Sequence, residues 1–215
     1  MSLPVIVVGS GGHAAVVADA LLAAGETLLG FTDSDDGRHG RMLCGLPVLG
    51  NDDDVLAAHA PAQTRLANGI GGVRGTALRQ RVQQRLQAQG WQFTSVRHPS
   101  AIVSPFAHVG AGVQLLAASV VQTGADLGAG CIVNTAAVVE HDCRLGEHVH
   151  VAPRALLCGD VTVGARSHIG AGAVVRQGLR LGADTVVGAG AMVVKDFPGG
   201  GTLVGVPARR LEDMA

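Results

Sequence analysis

Leu127-Gly128-Ala129-Gly130-Cys131-Ile132-Val133-Asn134-Thr135-Ala136-Ala137-Val138-Val139-Glu140-His141-Asp142-Cys143-Arg144-Leu145 repeats an aliphatic residue at every sixth position, namely Leu127, Val133, Val139 and Leu145. The same spacing runs back through Val121, Leu115, Val109 and Val103. It runs on through Val151, Leu157, Val163, Ile169, Val175, Leu181, Val187 and Val193, and stops before Pro198. A fixed period is read before any local motif because it decides the architecture. An aliphatic period of six marks a parallel β-helix in which each hexad makes one flat side of a triangular coil. Three hexads close a coil, so residues about eighteen apart are expected to stack.

The residues between the repeats agree. The position four after each aliphatic is usually small (Ala107, Ser119, Ala125, Cys131, Ala137, Cys143, Ala155, Ser167, Ala173, Ala191), as a narrow prism requires. Glycines recur just after the aliphatic (Gly110, Gly128, Gly146, Gly164, Gly170, Gly182, Gly188), where a corner with positive φ is expected. One Trp, four Phe and no Tyr suit a thin solenoid better than a thick core.

The repeat fills the second half of the 215 residues and leaves room for a separate N-terminal domain, placing the expected boundary between 1–97 and 98–215. Lys and Arg total 16 against 17 acids, a net charge of −1 with no large basic cluster, so neither a nucleic acid nor a membrane surface is an expected partner. No stretch approaches the roughly 20 apolar residues of a membrane helix, and Leu3 to Val8 is too short for a signal core. Cys44, Cys131, Cys143 and Cys158 lack zinc-motif or disulfide-framework spacing. Cys131 and Cys143 fall on small interior positions and read as buried thiols. A soluble cytoplasmic protein is expected.

In the first half, Leu3 to Val8 reads as a buried parallel strand, Gly9 to His13 as a tight turn, and Ala14 to Ala24 as a helix stopped by Gly25. Strands are expected at Thr27–Thr32, Pro47–Gly50 and Arg65–Ile70, a helix start at Asn51–Asp54, and a polar helix from Gly75 to Gln89 with Leu78, Val82 and Leu86 at helical spacing. This is a small βαβ domain with a parallel sheet. Gly9-x-Gly11-x-x-Ala14 matches the dinucleotide fingerprint in its Ala form, and Asp33 stands where a ribose-binding acid is expected. The domain is about half a full dinucleotide fold, however, and nothing downstream looks like a hydride-transfer site. Glycines that admit a ligand to the backbone, before a helix N-terminus that favours phosphate, suit any nucleotide-linked substrate.

The chemistry is expected at Asn134–Cys143, which sets His141 between Glu140 and Asp142 in mid-solenoid. A His beside a carboxylate can take a proton from an attacking amine or hydroxyl, the acid fixing its tautomer and raising its basicity. Successive strand side chains point to opposite faces, so these acids meet His141 only near a corner, through a stacked coil, or from another subunit. No Ser or Cys elbow argues for a covalent acyl-enzyme.

Five motifs together resemble the sialic-acid O-acetyltransferase-like branch of the hexapeptide acyltransferases: Ile6–Ala14, Arg97-His98-Pro99-Ser100-Ala101, Asn134–Asp142, His148–Pro153 and Gly205-Val206-Pro207-Ala208-Arg209. That branch includes bacterial N-acetyltransferases acting on nucleotide-linked 4-amino-sugars. The resemblance spans nearly the whole chain. It implies a small Rossmann-like α/β domain followed by a left-handed parallel β-helix of hexapeptide repeats. It further implies acetyl-CoA as co-substrate with no metal, and a homotrimer with sites between subunits. His141 becomes the general base and Asp142 its support, although family members often carry Glu there. The Gly12-His13-Ala14 turn, Asp33, Asp35 and Asp36, and the Gly69–Gly71 loop would hold the nucleotide-sugar. His150, Gly170, Ala171, Gly188 and Ala189 would line the acetyl-CoA groove, with Lys195, Arg209 and Arg210 near its phosphates. GDP-perosamine is the first candidate acceptor and a UDP-linked 4-amino-sugar the second, with Asp35 or Asp36 as guanine reader.

Other classes stay open on the residues alone. His150 and His168, eighteen apart, are expected to stack, and with a neighbour's His such as His141 would make a three-His zinc site resembling the gamma-class carbonic anhydrases. That reading leaves the N-terminal domain unexplained. A non-catalytic nucleotide-binding scaffold, or O-acetylation of a free sugar by the same base, are the remaining alternatives.

Overall fold

The computed structural model describes residues 2–72 and 77–214, which divide into two compact units, the first made of residues 2–71 and 78–99 and the second of residues 100–214 together with Gly72 and Ala77. In the first unit β1 (Val5–Val8) is followed by α1 (Gly12–Ala23), β2 (Leu28–Thr32), β3 (Met42–Leu43), β4 (Leu46–Gly50), α2 (Asp52–Ala57), β5 (Arg65–Asn68) and α3 (Ala77–Ala88). The sheet order is β3-β4-β2-β1-β5. All pairs are parallel except β3 with β4. Val5 to Val8 are buried, as a strand covered on both faces must be.

Two details depart from expectation. The short edge strand Met42–Leu43 is an addition, carrying too few residues to show a period. In α3, Leu78 is exposed while Arg79 and Gln83 are buried with Leu86. Asn68 Nδ2 explains part of that choice: it donates to the Gln83 side-chain oxygen and to the Arg79 carbonyl, so the helix turns a polar edge inward. The expected helix start at Gly75 lies outside the described residues.

The second unit is a parallel β-helix. Each two-residue strand pairs with the strand one coil on, eighteen residues away: Val120 with Val138, Leu127 with Leu145, His150 with His168. Three sheets form its walls. Face A presents Ile102, Val120, Val138, Leu156, Val174 and Met192 outward; face B presents His108, Asp126, Arg144, Thr162 and Arg180; face C presents Gln114, Ile132, His150, His168 and Val186. The partner residue of each pair points in, and Val121, Leu127, Val133, Val139, Leu157, Ile169, Val175 and Val187 are almost wholly buried. A buried aliphatic contributes roughly 1.5–3 kcal/mol, so the six-residue period is the stabilising pattern itself.

The glycines after the aliphatics serve a different purpose from the one expected. None of Gly110, Gly128, Gly146, Gly164, Gly170, Gly182 or Gly188 takes a positive φ. They stand where the next coil's backbone passes. A Cβ on Gly128 would lie 2.7 Å from Glu147 N, and one on Gly146 2.6 Å from Ala165 N. The left-handed corner falls two residues later, at every sixth residue from Gly112 to Gly190, with φ between 53° and 71°. Ala118, Ala136, Asp142, His148, Arg154, Asp160, Arg166 and Asp184 hold it without being glycine. The neighbouring coil fixes these corners by hydrogen bonds such as Asp142 N to Thr123 O (3.1 Å) and Asp160 N to His141 O (2.8 Å). Cys131 and Cys143 are buried. Their thiols donate to Gly146 O and Cys158 O, and burial pushes the Cys143 thiol up to about 11. No helix among the described residues is long and apolar enough to cross a membrane.

Candidate active site

The turn after β1 is built by Gly9, at φ +94°, and by Asp33 at the end of β2. Asp33 accepts from Ser10 N (3.0 Å), Ser10 Oγ (2.5 Å) and Asp35 N (3.0 Å), and Arg38 stands 3.6 Å away. Burial alone would raise its pKa, but the Ser10 hydroxyl, the two amides and Arg38 outweigh that and hold it below the usual carboxylate value. Asp33 is thus a brace for the turn. Asp35 caps Gly37 N and meets Arg38, while Asp36 is almost fully exposed. Gly12 is open at the start of α1, His13 is half-buried, and Ala14 is buried against the following loop. A Cβ on Gly69 would sit 2.7 Å from Ala14 Cβ, and one on Gly71 3.2 Å from His13 Cβ. The Gly69–Gly71 loop and the Gly12–Ala14 turn are therefore brought together, as one glycine-walled cradle.

In the β-helix His141 stands at the corner between faces A and B. Residue 142 takes the left-handed conformation there (φ 60°), which swings its side chain back beside its neighbour. Asp142 Oδ2 lies 2.9 Å from His141 Nδ1, so the shorter acid reaches the imidazole directly. The ring is 57% exposed and therefore open to a substrate. Its pKa is raised: the Asp142 hydrogen bond is the largest cause, desolvation opposes it, and the charges of Asp142, Glu140 and Asp160 add to the rise. The side of the ring carrying Nε2 lies over Gly159, one coil on. A Cβ there would fall 2.5 Å from Cε1 and closer still to Nε2. Eighteen-residue stacking pointed to Gly159 as that neighbour, yet it escaped sequence reasoning because glycine carries no chemical signal.

The expected acetyl-CoA residues gather elsewhere. His150 is on face C, and Gly170, Ala171, Gly188 and Ala189 lie on the edge between faces C and A. Asn134 stands on the same edge, donating from Nδ2 to His150 Nε2 at 3.0 Å. Within one chain face A separates this group from His141. Lys195 is exposed and shares the His141 edge, below Gly159 and Gln177. Arg209 and Arg210 form a short terminal strand against Gly201–Val204, with Arg210 held by Glu212. His150 and His168 do stack, with ring centroids 4.9 Å apart and planes at 81°. Burial lowers the His168 pKa, and its Nδ1 is buried with no partner among the described residues. His141 lies on another edge, and among the described residues no three His, Cys, Asp or Glu side chains converge as a metal site.

Residues 4–86 match the PglD N-terminal domain and residues 142–177 match the bacterial transferase hexapeptide (six repeats). Among solved structures, the acetyltransferase domain of PglB from Neisseria gonorrhoeae in complex with acetyl coenzyme A is 37% identical, with a TM-score of 0.91 over 98% of this chain and 100% of that one. The H141N mutant of perosamine N-acetyltransferase from Caulobacter crescentus, in complex with CoA and GDP-perosamine, is 39% identical, with a TM-score of 0.90 over 98% and 99%. WeeI from Acinetobacter baumannii is 28% identical, with a TM-score of 0.86 over 98% and 100%. No curated protein sequence matches the chain.

Proposed function

The chain belongs to the PglD-type sugar N-acetyltransferases of the hexapeptide family, and from that premise we propose that it moves the acetyl group of acetyl-CoA to the 4-amino group of a nucleotide-linked deoxy sugar, GDP-perosamine first. The observation that carries the chemistry is the open His141 imidazole anchored through Nδ1 by Asp142. Asp142 keeps Nε2 free to accept a proton as the neutral amine attacks the thioester carbonyl. The new N–C bond replaces the C–S bond, the amine proton passes to Nε2, and CoA leaves as the thiol once that proton is returned. Backbone N–H groups at the corner are suited to hold the developing oxyanion.

The glycine cradle of Gly12, His13, Ala14, Gly69 and Gly71, with Asp33, Asp35 and Asp36 at its rim, holds the nucleotide-sugar. The edge with His150, Gly170, Ala171, Gly188 and Ala189 holds acetyl-CoA. Lys195 lies three coils from His141, about 14 Å at the usual strand spacing, a separation suited to a cation that meets the far, phosphate-bearing part of CoA. Because face A stands between the catalytic and acetyl-CoA edges of one chain, a second copy must bring its own edge to complete the site. The outward ladder Ile102, Val120, Val138, Leu156, Val174 and Met192 is aliphatic throughout, whereas face B is polar. This supports assembly through face A into a homotrimer with shared sites. The reaction belongs in the cytoplasm, where acetyl-CoA is made.

The test is thiol release from acetyl-CoA with GDP-perosamine and, separately, a UDP-4-amino-sugar, on the wild type and His141→Asn. Turnover with GDP-perosamine that falls at least about 100-fold in the variant, with acetyl-CoA binding retained, is expected. Turnover only with the UDP-sugar would reassign the nucleotide, and an undiminished variant would remove His141 as base.

A further inference from the structure

A cavity of about 460 Å³ opens on the first unit beside the glycine cradle, walled by His39, Gly50, Asn51, Asp54, Val55 and His59. Its position follows from the sheet. Val8, Thr32 and Gly50 lie side by side at the C-terminal ends of three parallel strands, where open α/β sheets take their ligands. Two strand spacings, about 10 Å, lead from the turn after Val8 to Gly50, roughly the reach of a nucleoside. Asp33 spans that distance. Its carboxylate holds Ser10, its amide donates to Gly50 O (2.9 Å), and its carbonyl accepts from His39 Nε2 (2.8 Å).

Three acids follow in sequence here, and the structure separates their roles. Asp52 accepts from Thr32 Oγ1 (2.6 Å) and pairs with Arg85 (2.6 Å), which also takes Asp53 (3.0 Å). Asp54 alone of the three borders the cavity. Asn51 orients it, donating from Nδ2 to Asp54 Oδ2 (2.8 Å) while its own Oδ1 accepts from Asp54 N (2.9 Å). Oδ1 of Asp54 carries no hydrogen bond among the described residues, and a carboxylate oxygen that accepts once still has a second lone pair. Asp35 and Asp36 do not line this cavity.

A fixed carboxylate with open acceptor sites selects a base by its donors. Guanine presents two adjacent donors, N1–H and the 2-amino group, which a carboxylate accepts together in a charge-assisted pair. Uracil presents a single N–H flanked by two carbonyls, which the carboxylate repels, and adenine places a lone pair beside its amino group. Val55 and the two imidazoles give the remaining wall an apolar and aromatic character suited to a flat ring. We propose that this cavity is the base pocket of the nucleotide-sugar and that Asp54 makes it selective for guanine. This rests on the nucleotide-sugar reading above.

The experiment is calorimetric titration of GDP, UDP and acetyl-CoA into the wild type and Asp54→Asn, with thiol release from GDP-perosamine measured in parallel. Asn at 54 can still accept the Asn51 bond, and a thermal melt checks that the fold is kept. Expected are GDP binding tighter than UDP in the wild type, and GDP affinity about 10–100-fold weaker in the variant, with UDP and acetyl-CoA affinities unchanged. GDP affinity unchanged by the substitution, UDP bound as tightly as GDP by the wild type, or no nucleotide binding at all would each overturn the proposal. Turnover of GDP-perosamine with Asp54-independent GDP binding sinks the base pocket and leaves the acetyltransfer reading standing. Asp54-dependent GDP binding without turnover of any 4-amino-sugar does the reverse.

Discussion

Replacing Gly159 by Ala tests the proposed base, His141, without touching its chemistry. The added methyl would lie 2.5 Å from His141 Cε1 and 3.1 Å from Cδ2. Carbon atoms settle at about 3.5–4.0 Å, so the imidazole must retreat by about 1–1.5 Å. The ring is more than half exposed and free to yield, while Gly159 is outside the left-handed corner positions, so the backbone tolerates Ala. Stability should hold or rise by about 0.4–1 kcal/mol through the less flexible unfolded chain. Catalysis should not hold. A reacting group misplaced by about 1 Å costs about 100-fold, or about 2.7 kcal/mol of barrier. The assay is kcat by thiol release beside a thermal melt and acetyl-CoA affinity. A variant with an unchanged melt, unchanged acetyl-CoA binding and wild-type kcat would refute the placement of His141 over Gly159 during turnover.

Asp142→Asn keeps a residue that tolerates the left-handed corner but removes the main cause of the raised His141 pKa. Since a protonated imidazole cannot accept a proton, the wild-type kcat/KM should climb with pH through an apparent pKa above that of a free imidazole. The variant's climb should move to lower pH with a lower plateau, and an unmoved limb would separate that titration from His141. Gly164→Ala sets a methyl 2.6 Å from Gly182 C and 2.7 Å from Ala183 Cα in the next coil. Overpacking of this kind should cost about 1–3 kcal/mol and lower Tm by about 2–10 °C; an unchanged melt would contradict the close passage of the coils. Leu156→Arg places a charge in the middle of face A, and sedimentation should show subunits in place of a trimer, with activity lost; an intact, active trimer would move the interface to another face.

Much of the second unit was legible because burial and period are the same fact there: Val139 is buried for the reason that Val121 and Leu157 are. The corners were misread because glycine is the visible signal of positive φ, and here it marks close passage of neighbouring coils. The true corner is occupied as readily by Asp142 or Arg154, held by inter-coil hydrogen bonds that no local pattern displays. The contact of His141 with Asp142 was legible only as a condition, that a corner fall there, and the corner itself was hidden for the same reason. In the first unit the glycine cradle was plain, but Asp33 turned inward to brace it, a role settled by Ser10 and Arg38. Which acid of Asp52–Asp54 stays open depends on Arg85, more than thirty residues on. Buried Arg79 shows propensity giving way to tertiary packing.

The strict stacking of residues eighteen apart makes the solenoid behave like a reading frame. Loss of one residue within a side would turn every later interior position outward, so length can change only by whole turns or by loops extruded at a corner. The span from His141 to Lys195 is therefore stepwise, a ruler graduated in coils. A descendant needing a longer or shorter span would have to gain or lose an entire graduation, whereas the first unit, outside the frame, is free to drift one residue at a time.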